Sequence, residues 1–252
     1  MMCGAYDIKG EQKHTSMEIL PEEISRKLRE LGDPAIAEHS KRFFKTGNGE
    51  YGEGDIFLGI RVPIIRKLVK QYKRISVDKI KILLRSEYHE ERLFALLALV
   101  AVFAKGNEKK KTEIFNLYLQ NTRYINNWDL VDSSAGQIIG AYLESRDKKV
   151  LYELAESQSL WERRISIMAT FHMIRNNHFS DTVEIAKILK QDEEDLIHKA
   201  VGWMLREVGK RNIEIEEEYL KEHYKDMPRT MLRYAIEKFP DLKRKAYLTG
   251  QI

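Results

Sequence analysis

Asp132 is the residue in this chain that most invites a chemical reading. Trp128 stands four residues before it, so the indole and the carboxylate share one helical face. Trp203 stands four residues after Lys199, and Trp161 three before Arg164, each again at helical spacing from a charged residue. A lone carboxylate beside aromatic faces can stabilise a positive charge that develops next to it and can orient a water for attack. Aromatic faces add cation-π attraction of roughly 0.5 to 2 kcal/mol, depending on desolvation. Taken singly, these residues have plain structural readings. Asp132 caps its helix or pairs with a neighbouring arginine, and a tryptophan at helical spacing packs in a core. Trp161 is read as packing, whereas Trp128 and Trp203 are read as flanking the carboxylate.

The elements that must position these residues are helices. Apolar residues recur at three and four positions in 64–72, 93–103, 138–143, 165–174, 200–208 and 231–239, and alternating strand-like stretches are nearly absent. The five prolines, Pro21, Pro34, Pro63, Pro228 and Pro240, fall where helices begin or end. The glycine-rich stretch Thr46 to Gly54 reads as a loop between helices; with no preceding strand and no GK[ST] ending it is not a phosphate loop.

Successive core helices align when written under one another. Arg92, Asp132, Arg164, Lys199 and Thr230 then form a column with separations of 40, 32, 35 and 31 residues. That period fits helical hairpins stacked on their neighbours, with the second helix of each pair lining a concave side. A column facing the core would be apolar, so these polar positions are expected to face solvent in a groove edged by cations. Such a groove suits phosphates. A carboxylate among the cations opposes polyanion affinity, which points to chemistry at Asp132.

Composition sets the outer limits. At 252 residues, 43% hydrophobic and 33% charged, the chain has the make-up of one globular domain, and the longest apolar run, about 93–104, is too short to cross a bilayer. We expect a disordered tail over 1–16 and a single HEAT-like repeat domain over 17–252, all-α, monomeric and cytoplasmic. The N-terminus lacks the apolar core of a secretory signal. One cysteine, Cys3, rules out internal disulfides, and the seven histidines never fall at ligand spacing, so neither metal nor cofactor is expected. The net charge of +4 is mild but uneven: 61–85 holds nine basic residues against one acidic, and 213–226 six acidic against two basic. That surplus suits an anionic partner, or else forms a solvated helix face.

The stretches FLGIRVPIIRKL (57–68), WDLVDSS (128–134), WERRISI (161–167) and HKAVGWMLRE (198–207) resemble the AlkD-type DNA alkylation repair glycosylases, which are built from HEAT-like repeats. The resemblance spans roughly 24–239. It implies that Trp128, Asp132 and Trp203 match the family's active-site residues and that Arg164 and Arg206 match its phosphate-clamping arginines. Phe43 and Arg61 correspond less closely to positions facing the opposite strand. Lys199 and Arg92 join the expected DNA-binding set through the column.

The implied reaction suits a single carboxylate. Ordinary glycoside hydrolysis needs two, because the leaving oxygen must be protonated. A purine alkylated at N3 or N7 is already cationic and leaves as a neutral base, so one anion beside C1′ suffices to stabilise the oxocarbenium-like sugar and orient water. The expected partner is duplex DNA carrying alkylated bases, and the expected activity is hydrolysis of the N-glycosidic bond. Two other readings stand beside it: a non-catalytic DNA-binding or lesion-sensing module, and a HEAT-type scaffold for acidic peptides.

Overall fold

The computed structural model describes residues 19–252. The expected tail and Cys3 therefore lie outside the described residues. The regular structure of the described part is all helical, and its one β-type contact is an isolated bridge between Ile56 and Tyr88. Among the described residues no helix is long and apolar enough to cross a membrane.

Local signals set the helix starts. Pro21 and Pro34 open α1 (Pro21–Glu30) and α2 (Pro34–Phe43), and Pro63 lies in the first turn of α3 (Val62–Gln71), where no intrahelical N–H is lost. Pro228 and Pro240 stand immediately before α14 (Arg229–Ala235) and α15 (Asp241–Thr249). Side-chain caps do the same work elsewhere. Asp33 accepts from the amide of Ala35 at 2.8 Å to begin α2, and Asn107 from Lys110 at 3.0 Å to begin α6 (Glu108–Leu119).

The core helices follow one another as the repeat alignment requires. α5 (His89–Lys105) packs on α7 (Trp128–Asp132) and on the π-helical turn Gly136–Gly140 that follows α7. α10 (Leu160–Arg175) packs on α7, on that turn and on α12 (Asp195–Gly209), which in turn packs on α14. A second row backs the first. α4 (Val77–Leu84) lies on α5, α9 (Lys149–Ala155) on α10, and α11 (Ser180–Leu189) and α13 (Ile213–His223) on α12. The three-residue α8 (Ala141–Leu143) ends the segment that follows the π turn.

Between the rows lies a continuous apolar core that includes Leu96, Leu99, Ile138, Ile167, Met204, Leu205 and Leu232. Every one of the sequence-predicted apolar stretches contributes to it. Two glycines let core helices approach closely. A Cβ on Gly140 would stand 2.1 Å from the carbonyl oxygen of Ala169, and one on Gly202 2.4 Å from that of Met231. Those distances are far inside van der Waals contact, so any side chain there pushes the π turn and α12 off their neighbours.

Candidate active site

Asp132 closes the short helix α7. Asn127 starts that helix by accepting from the Trp128 amide at 2.9 Å. Beyond Asp132 the chain turns and then widens into the π turn, an irregularity that recurs at functional sites in helical proteins. The Asp132 side chain keeps 17% of its surface exposed. Arg164, on α10, grips it with both arms: Nε donates to Oδ1 at 2.9 Å and one Nη to Oδ2 at 2.8 Å, while the other Nη donates to the carbonyl of Leu196. Burial raises the carboxyl above its ordinary range, and the guanidinium of Arg164 opposes that rise.

Two members of the column are therefore joined, but not as free groove-lining charges. Arg164 is only 4% exposed and turned onto Asp132. Arg92, also 4% exposed, departs further from expectation. Its guanidinium donates to Asp55 at 2.6 Å and to the carbonyls of Ser86 and Glu87, so it offers no open surface to a phosphate. The inference that polar column positions must face solvent fails because a buried charge is tolerated once it is paired and hydrogen-bonded.

The remaining cations differ in access. Lys199 pairs with Asp195 at 2.7 Å and is half-buried. Arg206 pairs with Glu237 and is largely covered. Arg61 precedes α3 and is exposed. Phe43, 58% exposed at the end of α2, stands edge-on to Trp128 with ring centroids 5.7 Å apart.

An aromatic stack supports Trp128 from below. Phe44 lies parallel to the indole at 5.2 Å, Phe57 parallel to Phe44 at 4.9 Å, and His89 parallel to Phe57 at 4.5 Å. The far end of the stack returns to the site. His89 bridges two carboxylates, 2.8 Å from Asp129 and 3.3 Å from Asp55. Burial works against its charge, but these two acids outweigh it and lift its pKa to about 9, so the ring is an imidazolium at neutral pH. Asp55 also receives Asn126 at 3.1 Å and Asn127 at 3.4 Å, the residues that lead into α7. One buried network thus ties the 46–54 loop, α5 and the helix bearing Trp128 and Asp132.

Sequence reasoning missed Asp55, His89, Asp129 and Phe44. Asp129 lies inside WDLVD and was legible as a carboxylate; that it would be neutralised by a histidine 40 positions away was not. The FLGI stretch also gains a reason. The buried Glu90 carboxylate receives the amides of Leu58 and Gly59 at 2.8 Å and of Ile60 at 3.2 Å, clamping that segment to the start of α5.

Trp203 sits two core helices further along, on α12. It donates to Glu207 at 3.1 Å and leans on Phe171 of α10, which packs against both α7 and α12. The ring contact that accompanies Trp161 is Tyr51, from the 46–54 loop, with centroids 5.9 Å apart.

Fold and site together define an all-α protein of stacked helices whose most chemically equipped point is an arginine-held carboxylate beside a tryptophan. A family model described as "DNA alkylation repair enzyme" matches residues 24–239. The chain belongs to that family, and its role lies in the repair of alkylated DNA. Its fold is shared with solved structures at low identity. A "predicted DNA alkylation repair enzyme" from Enterococcus faecalis superposes with a TM-score of 0.65 at 18% identity, covering 83% of this chain and 97% of that one. AlkD2 from Streptococcus mutans gives 0.50 at 18%, with coverage of 87% and 98%. No curated protein matches the sequence significantly.

Proposed function

We propose that the protein is a DNA glycosylase that releases N3- or N7-alkylated purines from duplex DNA. The observation that carries this reading is the placement of Asp132 at the end of the short helix that Trp128 begins, with its carboxylate partly open and held at a fixed angle by both arms of Arg164. One carboxylate suits a cationic base that leaves neutral, because no general acid is required. Asp132 stabilises the developing oxocarbenium ion and orients the attacking water. Its raised basicity, set by burial, favours the second task.

Trp128 supplies a π face to the cationic base or sugar, and its stack of Phe44, Phe57 and His89 keeps that face fixed. Trp203 extends the aromatic surface on α12. Lys199, Arg206, Arg61 and Phe43 are assigned to the DNA backbone and the opposite strand. Lys199 and Arg206 must exchange Asp195 and Glu237 for phosphates to do so. Arg164 acts through Asp132, holding the carboxylate at a fixed angle. No cofactor or metal enters this scheme, and the protein is proposed to act as a monomer.

The fully paired state of Asp132 also suits a purely structural ion pair in a non-catalytic DNA-binding module. Base release separates the two. The wild-type protein is expected to release 7-methylguanine and 3-methyladenine from methylated duplex, and Asp132→Asn to lose that release while retaining duplex binding. Equal release by the variant refutes the catalytic assignment; duplex binding with no release by the wild type supports the module.

A further inference from the structure

The end of α5 away from Asp132 carries a cavity that the proposed reaction does not use. It has a volume of about 380 Å³ and lies between α3, α5 and the start of α6. Helical spacing builds it. Ala98, Ala101, Val102 and Lys105 recur at three- and four-residue intervals along one face of α5, and Val69, Tyr72 and Lys73 do the same around the end of α3. His89, at the opposite end of α5, belongs to the network that holds α7, about 18 Å from Ala101 along the helix axis.

The floor of this trough is apolar and its rim is cationic. Ala98 is buried, Val69 and Val102 are half-buried, and Ala101 is exposed, so one flank opens to solvent. Tyr72 is a fixed wall, because its hydroxyl donates to Glu23 at 3.1 Å and its ring stands edge-on to Phe94. Among the described residues neither Lys73 nor Lys105 has an acidic partner. Lys110 of α6, the third lysine of the lining, pairs with Glu113. Glu108, which precedes it, is turned to Lys111 and Arg146. The rim thus belongs to the basic surplus noted in the sequence, and three separate segments supply its charges.

That arrangement selects among occupants. A cavity of this size stands at the small end of the roughly 300–1,000 Å³ range of ligand sites, so it takes anchoring side chains and not a folded surface. A fatty acid brings one charge to one place. A peptide that sets acidic side chains on both sides of apolar ones brings several, spaced as the lysines are. We infer that the trough docks an acidic peptide segment of another protein, whose apolar side chains fill the floor while its carboxylates meet Lys73, Lys105 and Lys110. None of these residues serves Asp132, so the inference stands apart from the glycosylase reading.

The test uses an array of synthetic decapeptides in which a Leu-Phe pair is moved stepwise through a background of Glu and Asn. The array is probed with the labelled full-length protein, and the best binders are measured by fluorescence anisotropy. At least one register is expected to bind saturably at one peptide per protein. The Lys73→Glu, Lys105→Glu double variant and Ala101→Glu, all at exposed positions, are expected to melt like the wild type and to weaken that peptide by about tenfold or more. Changing the peptide's Glu to Gln, or its Leu-Phe to Ser-Ser, is expected to do the same, while binding of methylated duplex DNA by both protein variants stays at the wild-type level. An array in which no peptide prefers the wild type to the double variant overturns the inference, as does binding that survives either change to the peptide. Loss of duplex binding in the double variant, with displacement of the peptide by duplex, assigns the lysines to DNA and overturns it. Saturable binding of dodecanoate at these residues, with no peptide bound, gives the trough to an amphiphile and overturns it too.

Discussion

Replacing Asp132 with Asn removes a charge that a nearly buried arginine depends on, and the size of the effect follows from the geometry. Arg164 has 5% of its side chain exposed and Asp132 17%, with two direct N–H···O bonds between them. Removing one partner of a buried pair costs roughly 3 to 5 kcal/mol, because the other charge is stranded. Asn keeps one acceptor and the site keeps some solvent, so a loss at or just below that range, about 2 to 3 kcal/mol, is expected for Asp132→Asn. Arg164→Met is expected to cost a similar amount. Removing both charges leaves neither stranded, and the Asp132→Asn, Arg164→Met double variant is expected within about 1 kcal/mol of either single variant. Urea unfolding at neutral pH, with equal m-values across the four proteins, measures the cycle. A coupling energy below about 0.5 kcal/mol, the level of exposed pairs, would refute the claim that this is a buried, mutually dependent pair.

Two further perturbations separate parts of the structure. Glu216 is buried, and burial pushes its carboxyl up to about 8, so between its unfolded value near 4.5 and that point the folded state holds the extra proton. Stability must therefore fall as pH rises through that window, by up to about 1.4 kcal/mol per pH unit from this group. His89, raised from 6.5 to about 9, loses its own contribution as pH rises over the upper part of the range. Thermal melts from pH 5 to 9 should show this decline, and Glu216→Gln should flatten it; a variant with the wild-type slope would contradict the assignment. Arg92 and Lys199 should differ in kind. Lys199→Ala is expected to weaken duplex binding and reduce the salt slope by about one, whereas Arg92→Ala should lower unfolding stability through loss of the Asp55 pair. A reduced salt slope in Arg92→Ala, in a variant that melts like the wild type, would reverse that division.

Helix identity was legible because it is local. The prolines, Asp33 and Asn107 mark helix starts by single-residue chemistry, and each apolar stretch with three- and four-residue spacing falls on helical segments that feed the core. The order of stacking was legible too, since the period of about 31 to 40 residues recurs along the chain. Side-chain direction within the column was harder to read. Arg92 and Arg164 look in sequence like solvent-facing cations, and only the positions of Asp55 and Asp132 on other segments reveal that each is buried against an acid. The same limit hid Tyr51. Its loop has the composition of a plain connector, and its placement against Trp161 depends on a contact between distant segments.

The Asp55 network has a consequence for engineering. A region that looks exchangeable at the surface shares its foundations with the helix that carries Asp132, through His89, Asn126 and Asn127. Grafting another relative's connector between α2 and α3 would transplant a hinge pin as well as a flap. Such chimeras should work as a set, with both abutments moved at once, and misalign the reactive helix when only the visible span is replaced.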